Sequence, residues 1–327
     1  VLALVNETLS HYSDWSYTTA TAIYVLALAF FLIEQAFGAK SRRVAERAQA
    51  RQLVGAGAPA PDVETTADVP EHRAPRGRAE RIGRMGVSLL VLGALLHVAA
   101  IVLRGLATHR VPWGNMYEYI MAVTFIAVVT WLWAVRKFPV RHLSGFMLLP
   151  VVILMFIGGT ALYTVAAPVV PALQSYWLWI HVSAAIVSSG IFMVPGVASI
   201  FFLIRSAHDR NPERFARFAP RLPAADMLDR VAYRATVVAF PLFTFGVLCG
   251  AVWAESAWGR FWGWDPKETT AFVAWVVYAA YLHSRATAGW RGTRAAVINI
   301  LGFAVMVFNL FFVNLVTTGL HSYAGVG

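Results

Sequence analysis

The sequence predicts an all-α, polytopic integral membrane protein with about eight transmembrane helices, and three observations carry that expectation. Of its 327 residues, 58% are hydrophobic and only 13% are charged, with a mean hydropathy of +0.61. A soluble domain carries roughly a quarter charged residues, so a soluble globule is excluded. The apolar residues fall into eight low-charge runs, at about 17–37, 85–104, 115–135, 143–163, 180–204, 235–254, 267–284 and 295–316, each near the roughly 20 residues needed to cross a hydrocarbon core. The basic residues are segregated: segments 38–84, 136–142, 205–234 and 285–294 hold 23 of the 27 Lys and Arg, and only Arg104, Arg110, Arg260 and Lys267 fall on the other side. Because basic loops resist translocation, the first set is cytoplasmic and both termini are extracytoplasmic. The net charge of +10 is thereby explained by topology and lipid contact, and nucleic acid need not be invoked.

The elements follow in order. Residues 1–37 form an N-terminal segment and helix one. The opening VLALVNETLSHYSDW has no basic stretch and no small-residue cleavage pattern, so its apolar run is expected to be a retained helix. Residues 38–84 are expected to be a disordered basic linker, because 55–80 is rich in Ala, Pro and Gly with almost no large apolar side chains to bury. Residues 85–327 form the functional membrane domain. The single cysteine, Cys249, lies within an apolar run, so any chemistry on paired thiols must use another molecule's cysteines.

Tryptophan and histidine are distributed unevenly. The loop between the sixth and seventh runs reads AVWAESAWGRFWGWDPKE and places Trp253, Trp258, Trp262 and Trp264 within twelve residues. An interfacial aromatic belt accounts for one or two of them. Four, interleaved with Gly259 and Gly263, point to a flat apolar platform, with Trp253 as the belt residue nearest the helix. Asp265, Pro266 and Glu268 have the spacing of a capping box that starts helix seven. Arg260 and Lys267 flank the tryptophans and either meet acid groups of a ligand or snorkel at the interface. Of nine histidines, His181 (QSYWLWIHVSAA) and His321 (TTGLHSYAG) fall on the same external face as the Trp loop. His283 lies about 26 Å along helix seven, near the cytoplasmic end. His97 sits past mid-depth in helix two, and a structural role is favoured for it, although intramembrane ionisable groups are functional candidates. Two external histidines beside an aromatic platform match a planar metallomacrocycle, whose iron accepts imidazole on both faces. A zinc site wants a third or fourth ligand and no platform.

These residues carry a resemblance. WGRFWGWDPKE, followed by AWVVYAAYLHSR, resembles the tryptophan-rich WWD signature of haem-handling proteins of System II cytochrome c maturation, the CcsA (ResC) family. VPWGNMYEYI at 111–120 is similar to that family's PxSNxYE stretch, with Gly114 in place of serine. The likeness spans roughly 95–327. It implies that His181 and His321 ligate the iron of an outer haem b, with Trp258, Trp262, Trp264, Asp265, Arg260 and Lys267 around it. It also implies that His283 ligates an inner haem. The family further implies a CcsB (ResB) membrane partner, an apocytochrome c whose CxxCH thiols receive the haem vinyls in a cytochrome c synthase (haem lyase) reaction, a thioredoxin-like reductant for those thiols, and a plasma-membrane location with an extracytoplasmic active face. A haem exporter or chaperone of CcmC type, without ligation, fits the same loop and histidines. A membrane cytochrome b would put its His pairs inside the bilayer, and a solute transporter leaves His181 and His321 unexplained.

Overall fold

The computed structural model describes residues 5–55, 77–168, 173–287 and 290–321, with side chains of 37–55 left aside. The described residues are all-α. Eight long helices run in order: α1 Glu7–Gly55, α2 Arg78–Thr108, α3 Met116–Lys137, α4 Ser144–Thr160, α5 Tyr176–Arg210, α6 Ala225–Trp258, α7 Pro266–Ala286 and α8 Thr293–Phe308. A π-helical turn, Asn309–Val313, prolongs α8. Seven of these helices are long and apolar enough to cross a membrane. α7 is 21 residues long but is not among them, its first turn being taken up by Lys267 and Glu268. The chain is a multi-pass membrane protein. Both expected edges of the linker, 38 and 84, fall inside helices, since α1 continues to Gly55 and α2 begins at Arg78; residues 56–76 of that linker lie outside the described residues.

α1 packs along α2, and α5 along α6, as the two most extensive helix pairs; α3 bridges them by packing against α2, α4 and α5, and α8 lies on α5 and α7. Leu, Val and Phe side chains such as Leu95, Ile153 and Leu248 stay exposed around the perimeter, as lipid-facing helices require. Pro150, Pro195 and Pro241 lie inside α4, α5 and α6, a placement that packed membrane helices tolerate.

Ion pairs mark the two ends of the bundle. At the end opposite the Trp loop, Arg141 meets Glu34 at 2.8 Å and Arg285 meets Asp229 at 2.7 Å. At the Trp-loop end, Glu118 is fully buried and accepts from Arg104 Nε at 3.0 Å, Arg110 Nη1 at 2.8 Å and the Gly114 N–H at 2.8 Å. Arg104, also fully buried, reaches the Thr164 carbonyl too. This knot ties α2 and α3 to the chain that follows α4. Asn115 caps α3 by accepting the Glu118 N–H at 2.9 Å, and the segment 113–116 forms one wall of the cavity described next.

Candidate functional site

The site is built from the Trp-loop end of α6. Gly246 and Gly250 stand one helical turn apart, and there α5 comes in close. A Cβ on Gly246 would lie 3.2 Å from the Ala184 methyl, and one on Gly250 would lie 2.6 Å from the His181 ring. This is the small-xxx-small spacing that lets membrane helices approach. It seats the His181 imidazole on α6, where its Nδ1–H donates to the Gly246 carbonyl at 2.7 Å. The carbonyl can only accept, so the proton is on Nδ1 and the Nε2 lone pair is left free.

His321 reaches the same place from beyond α8. Its Nδ1 lies 2.9 Å from Asp265 Oδ2, while Asp265 Oδ1 accepts the Leu320 N–H at 2.8 Å. Asp265 also caps α7, in a capping box with Glu268, so the cap expected from the sequence has a second task. Burial by itself would raise the Asp265 carboxyl, but donors from Leu320, His321 and Lys267 outweigh it and hold the group below the ordinary carboxylate value. Burial also lowers His321, against the opposing pull of Asp265. The result is a neutral imidazole that donates from Nδ1 to a carboxylate and keeps its Nε2 lone pair.

Trp253 touches both rings. It stacks on His181 at 6.2 Å with 10° between planes and meets His321 edge-on at 5.7 Å. It is 1% exposed. Trp258 lies behind, 4.7 Å from Trp253 and 5.0 Å from His321. His181, His321, Trp253, Trp262 and Lys267 line one apolar cavity of about 430 Å³ that runs inward between α3, α5, α6 and α8, within the usual range for small-molecule sites.

The structure therefore brings together His181, His321, Trp262 and Lys267, with Trp258 and Asp265 directly behind His321. Trp264 does not join them. It is 65% exposed, holds a left-handed φ of 58°, and meets Trp262 and Phe272 edge-on. The expected ranking of Trp253 as the peripheral belt residue is corrected: it is the most buried of the four and the one that touches both histidines. Arg260 turns to Glu268 at 3.3 Å and over the Trp258 ring at 5.7 Å, off the cavity wall. His283 is exposed near the far end of α7. His97 is fully buried, 3.3 Å from the Tyr24 hydroxyl and packed edge-on with Phe125, as its favoured structural role requires. Sequence reasoning ranked Trp253 too low and missed Gly246 and Gly250; the Gly-x-x-x-Gly spacing in GVLCG was the readable signal for those two. Among the described residues no three His, Cys, Asp or Glu converge as a metal-ion cage.

Comparison with known proteins gives the family and the fold. Residues 113–321 match the family described as "Cytochrome C assembly protein". The cytochrome c biogenesis protein CcsA of Chlamydomonas reinhardtii is 38% identical over 248 residues, covering 73% of this chain and 67% of that protein. The CcsA of Parasynechococcus marenigrum (strain WH8102) is 34% identical over 258 residues, covering 72% and 85%. Among solved structures, the chain named "Cytochrome c Heme Lyase CcmF" has the same fold, with a TM-score of 0.61 at 17% identity. The match takes in 98% of the present chain and 49% of that one.

Proposed function

The chain belongs to the cytochrome c assembly family, with CcsA proteins as its relatives and a role in cytochrome c biogenesis, and from that premise we propose that its outer cavity is a haem-presenting site. Haem b is the cargo. The chain carries it to the extracytoplasmic face of the plasma membrane and, with a CcsB/ResB partner, presents it for thioether attachment to the CxxCH of an apocytochrome c. The observation that carries this reading is the histidine pair: both Nδ1 atoms are engaged, by Gly246 and by Asp265, so both Nε2 lone pairs are available at one cavity. Metal-ligating histidines are oriented by such partners on the other ring nitrogen.

Bound haem supplies an iron with two axial positions and two vinyl groups, across which thiol S–H bonds add without a leaving group. The chain's own residues do the rest. His181 and His321 fix the plane and the depth of the macrocycle. Trp253 and Trp262 give it apolar walls and exclude water. Cys249 is alone and buried, so the thiols come from the apocytochrome and are kept reduced by a thioredoxin-like protein. His283 serves an inner uptake site. Its exposed position, about 26 Å along α7 from Pro266, supports a second ligand from the partner protein, because His97, on α2, is enclosed by α1 and α3.

The test is the absorption spectrum of the purified chain, alone and with its partner. Wild type is expected to show a bis-imidazole Soret band. His181→Ala and His321→Ala are each expected to lose it while remaining folded, with added imidazole restoring part of it. Normal cytochrome c maturation by the double Ala variant would overturn the assignment.

A further inference from the structure

Lys267 is the one charged group on the cavity wall whose environment is incomplete, and resting on the haem reading above, we propose that Lys267, Asn309 and Asn314 form a carboxylate-binding subsite that grips the propionate edge of the tetrapyrrole. The Lys267 ammonium donates to the Asn309 carbonyl at 3.2 Å and to Asn314 Oδ1 at 2.8 Å. An ammonium has three donors, so one remains. No carboxylate of the described residues lies within ion-pair distance of it. Asp265, the nearby acid, has its oxygens taken up by Leu320, His321 and the Lys267 backbone. Glu268, also on the wall, is held by Arg260, Gly263 N–H and Asp265 N–H. A half-buried cation that faces an apolar cavity with its nearest carboxylate, Asp265, beyond ion-pair distance is incompletely compensated, and an anionic ligand supplies what is lacking.

The second observation comes from α8. Asn309 is 8% exposed, lines the cavity, and its side-chain Oδ1 is buried with no hydrogen-bond partner. An unsatisfied buried amide is uncommon. Asn309 opens the π-helical turn Asn309–Val313, and π-turns inside α-helices concentrate at functional sites. Here the turn directs the Asn309 carbonyl and the Asn314 amide onto one ammonium, with the Asn309 amide beside it. A carboxylate entering this corner meets the third ammonium donor and the Asn309 side-chain NH2 once the amide is turned. Arg260, the other candidate from the sequence, is neutralised by Glu268 and lies off the wall, so the acid-binding role falls to Lys267 alone.

The functional consequence is orientation. The histidines fix the plane of the macrocycle but leave it free to rotate about the iron. Anchoring the propionate edge at α8 stops that rotation and presents the vinyl edge on the opposite side. The experiment titrates the purified chain, in complex with its partner if that is needed for loading, with haem and with haem dimethyl ester, whose propionates carry no charge. Wild type is expected to bind haem about tenfold or more tightly than the ester, the effect of one charge-assisted hydrogen bond. Lys267→Met is expected to erase that preference by weakening haem alone, with the bis-imidazole band unshifted in the ester complex. Equal affinity of wild type for both compounds, with a bis-imidazole spectrum, overturns the subsite and leaves the haem reading standing. Binding of neither overturns both. The wild-type comparison needs no variant, so a Lys267→Met chain that fails to fold does not decide the outcome.

Discussion

Two cations at the same end of the bundle have opposite surroundings. Arg104 is fully buried and enclosed by counter-charge and a carbonyl, Glu118 at 3.0 Å, the Thr164 carbonyl and Asp14 at 3.8 Å, although its Nη1 makes no hydrogen bond. Lys267 is half-buried, its ammonium bonds only to neutral oxygens, from Asn309 and Asn314, and it faces a cavity. The first arrangement is closed in charge, and its cost of desolvation is offset inside the chain. The second is open, and its balance waits for a ligand. The difference separates a scaffold half, α1 to α4, from a working half, α5 to α8, even though α3 contributes a wall to the cavity. It also shows why counting external basic residues in the sequence could not tell Arg104 from Lys267.

The comparison is broken most forcefully from the scaffold side. Glu118→Ala leaves Arg104 and Arg110 buried beside an empty position, and removal of one partner of a buried ion pair costs about 3–5 kcal/mol. Thermal unfolding in detergent is expected to show a large drop, or no folded protein at all. A melting temperature close to wild type would mean that the knot is not closed as described. Inside the working half, Trp253→Ala removes a large, fully buried ring and is expected to cost about 3 kcal/mol or more and to lower haem content. Trp264→Ala, at an exposed position, is expected to stay within about 0.5 kcal/mol with haem content near wild type. Equal effects at the two positions would return Trp253 to the interfacial belt.

A smaller effect sharpens the contrast by acid. The proton affinity of His321 is depressed by burial from its ordinary value of 6.5, against the pull of Asp265. A group whose folded value is depressed gives its full stabilisation above the unfolded value and loses it as pH falls through the folded one. The neutral form is also the ligating form. The Soret band is therefore expected to survive acidification past the ordinary imidazole value of 6.5 and to be lost only at lower pH, where the depressed His321 is finally protonated, and a band that strengthens on acidification would contradict the assignment. The smallest effect belongs to Lys267→Met in the chain without haem. Removal of a half-buried charge with no carboxylate within ion-pair distance is expected to leave the melting temperature unchanged or slightly raised, and destabilisation comparable to that of Glu118→Ala would show that the two cations are alike after all.

The fold class was legible because lipid is an unforgiving solvent: eight apolar runs and a lopsided distribution of Lys and Arg define helices before any contact is known. α7 shows the limit. Its capping box was readable from DPKE, but it is not a span by length and composition, with Lys267 and Glu268 in its first turn and His283 and Arg285 in its last. The convergence of His181 and His321 followed from both lying at the Trp-loop end. What sequence could not supply was rotation about helix axes. Trp253 and Trp264 are both tryptophans of the same loop region, yet one faces α5 and the other faces out, because the α6 helix continues through Trp253 whereas Trp264 sits in a left-handed turn outside any helix. The double duty of Asp265 was hidden for a similar reason: its capping partner is three residues away, and its histidine is 56.

The π-turn at Asn309–Val313 marks where chain length is and is not a constraint on this protein. A π-turn holds one residue more than the α-helical turn it replaces, so it absorbs that residue and lets the chain beyond it keep nearly the facing of a regular helix. Deleting a single residue there, Leu310 for instance, would restore a regular turn and leave Asn314 facing much as before. A one-residue deletion in the regular part of α8, Val305 for instance, has no such slack and would turn everything after it by about 100°. Asn314 would swing away from Lys267, and the segment leading to His321 would start in the wrong direction. Every substitution discussed above removes one group and leaves the others in place; a one-residue change in the regular helix would disperse the histidine and both amides together, whereas the same change inside the π-turn would spare them.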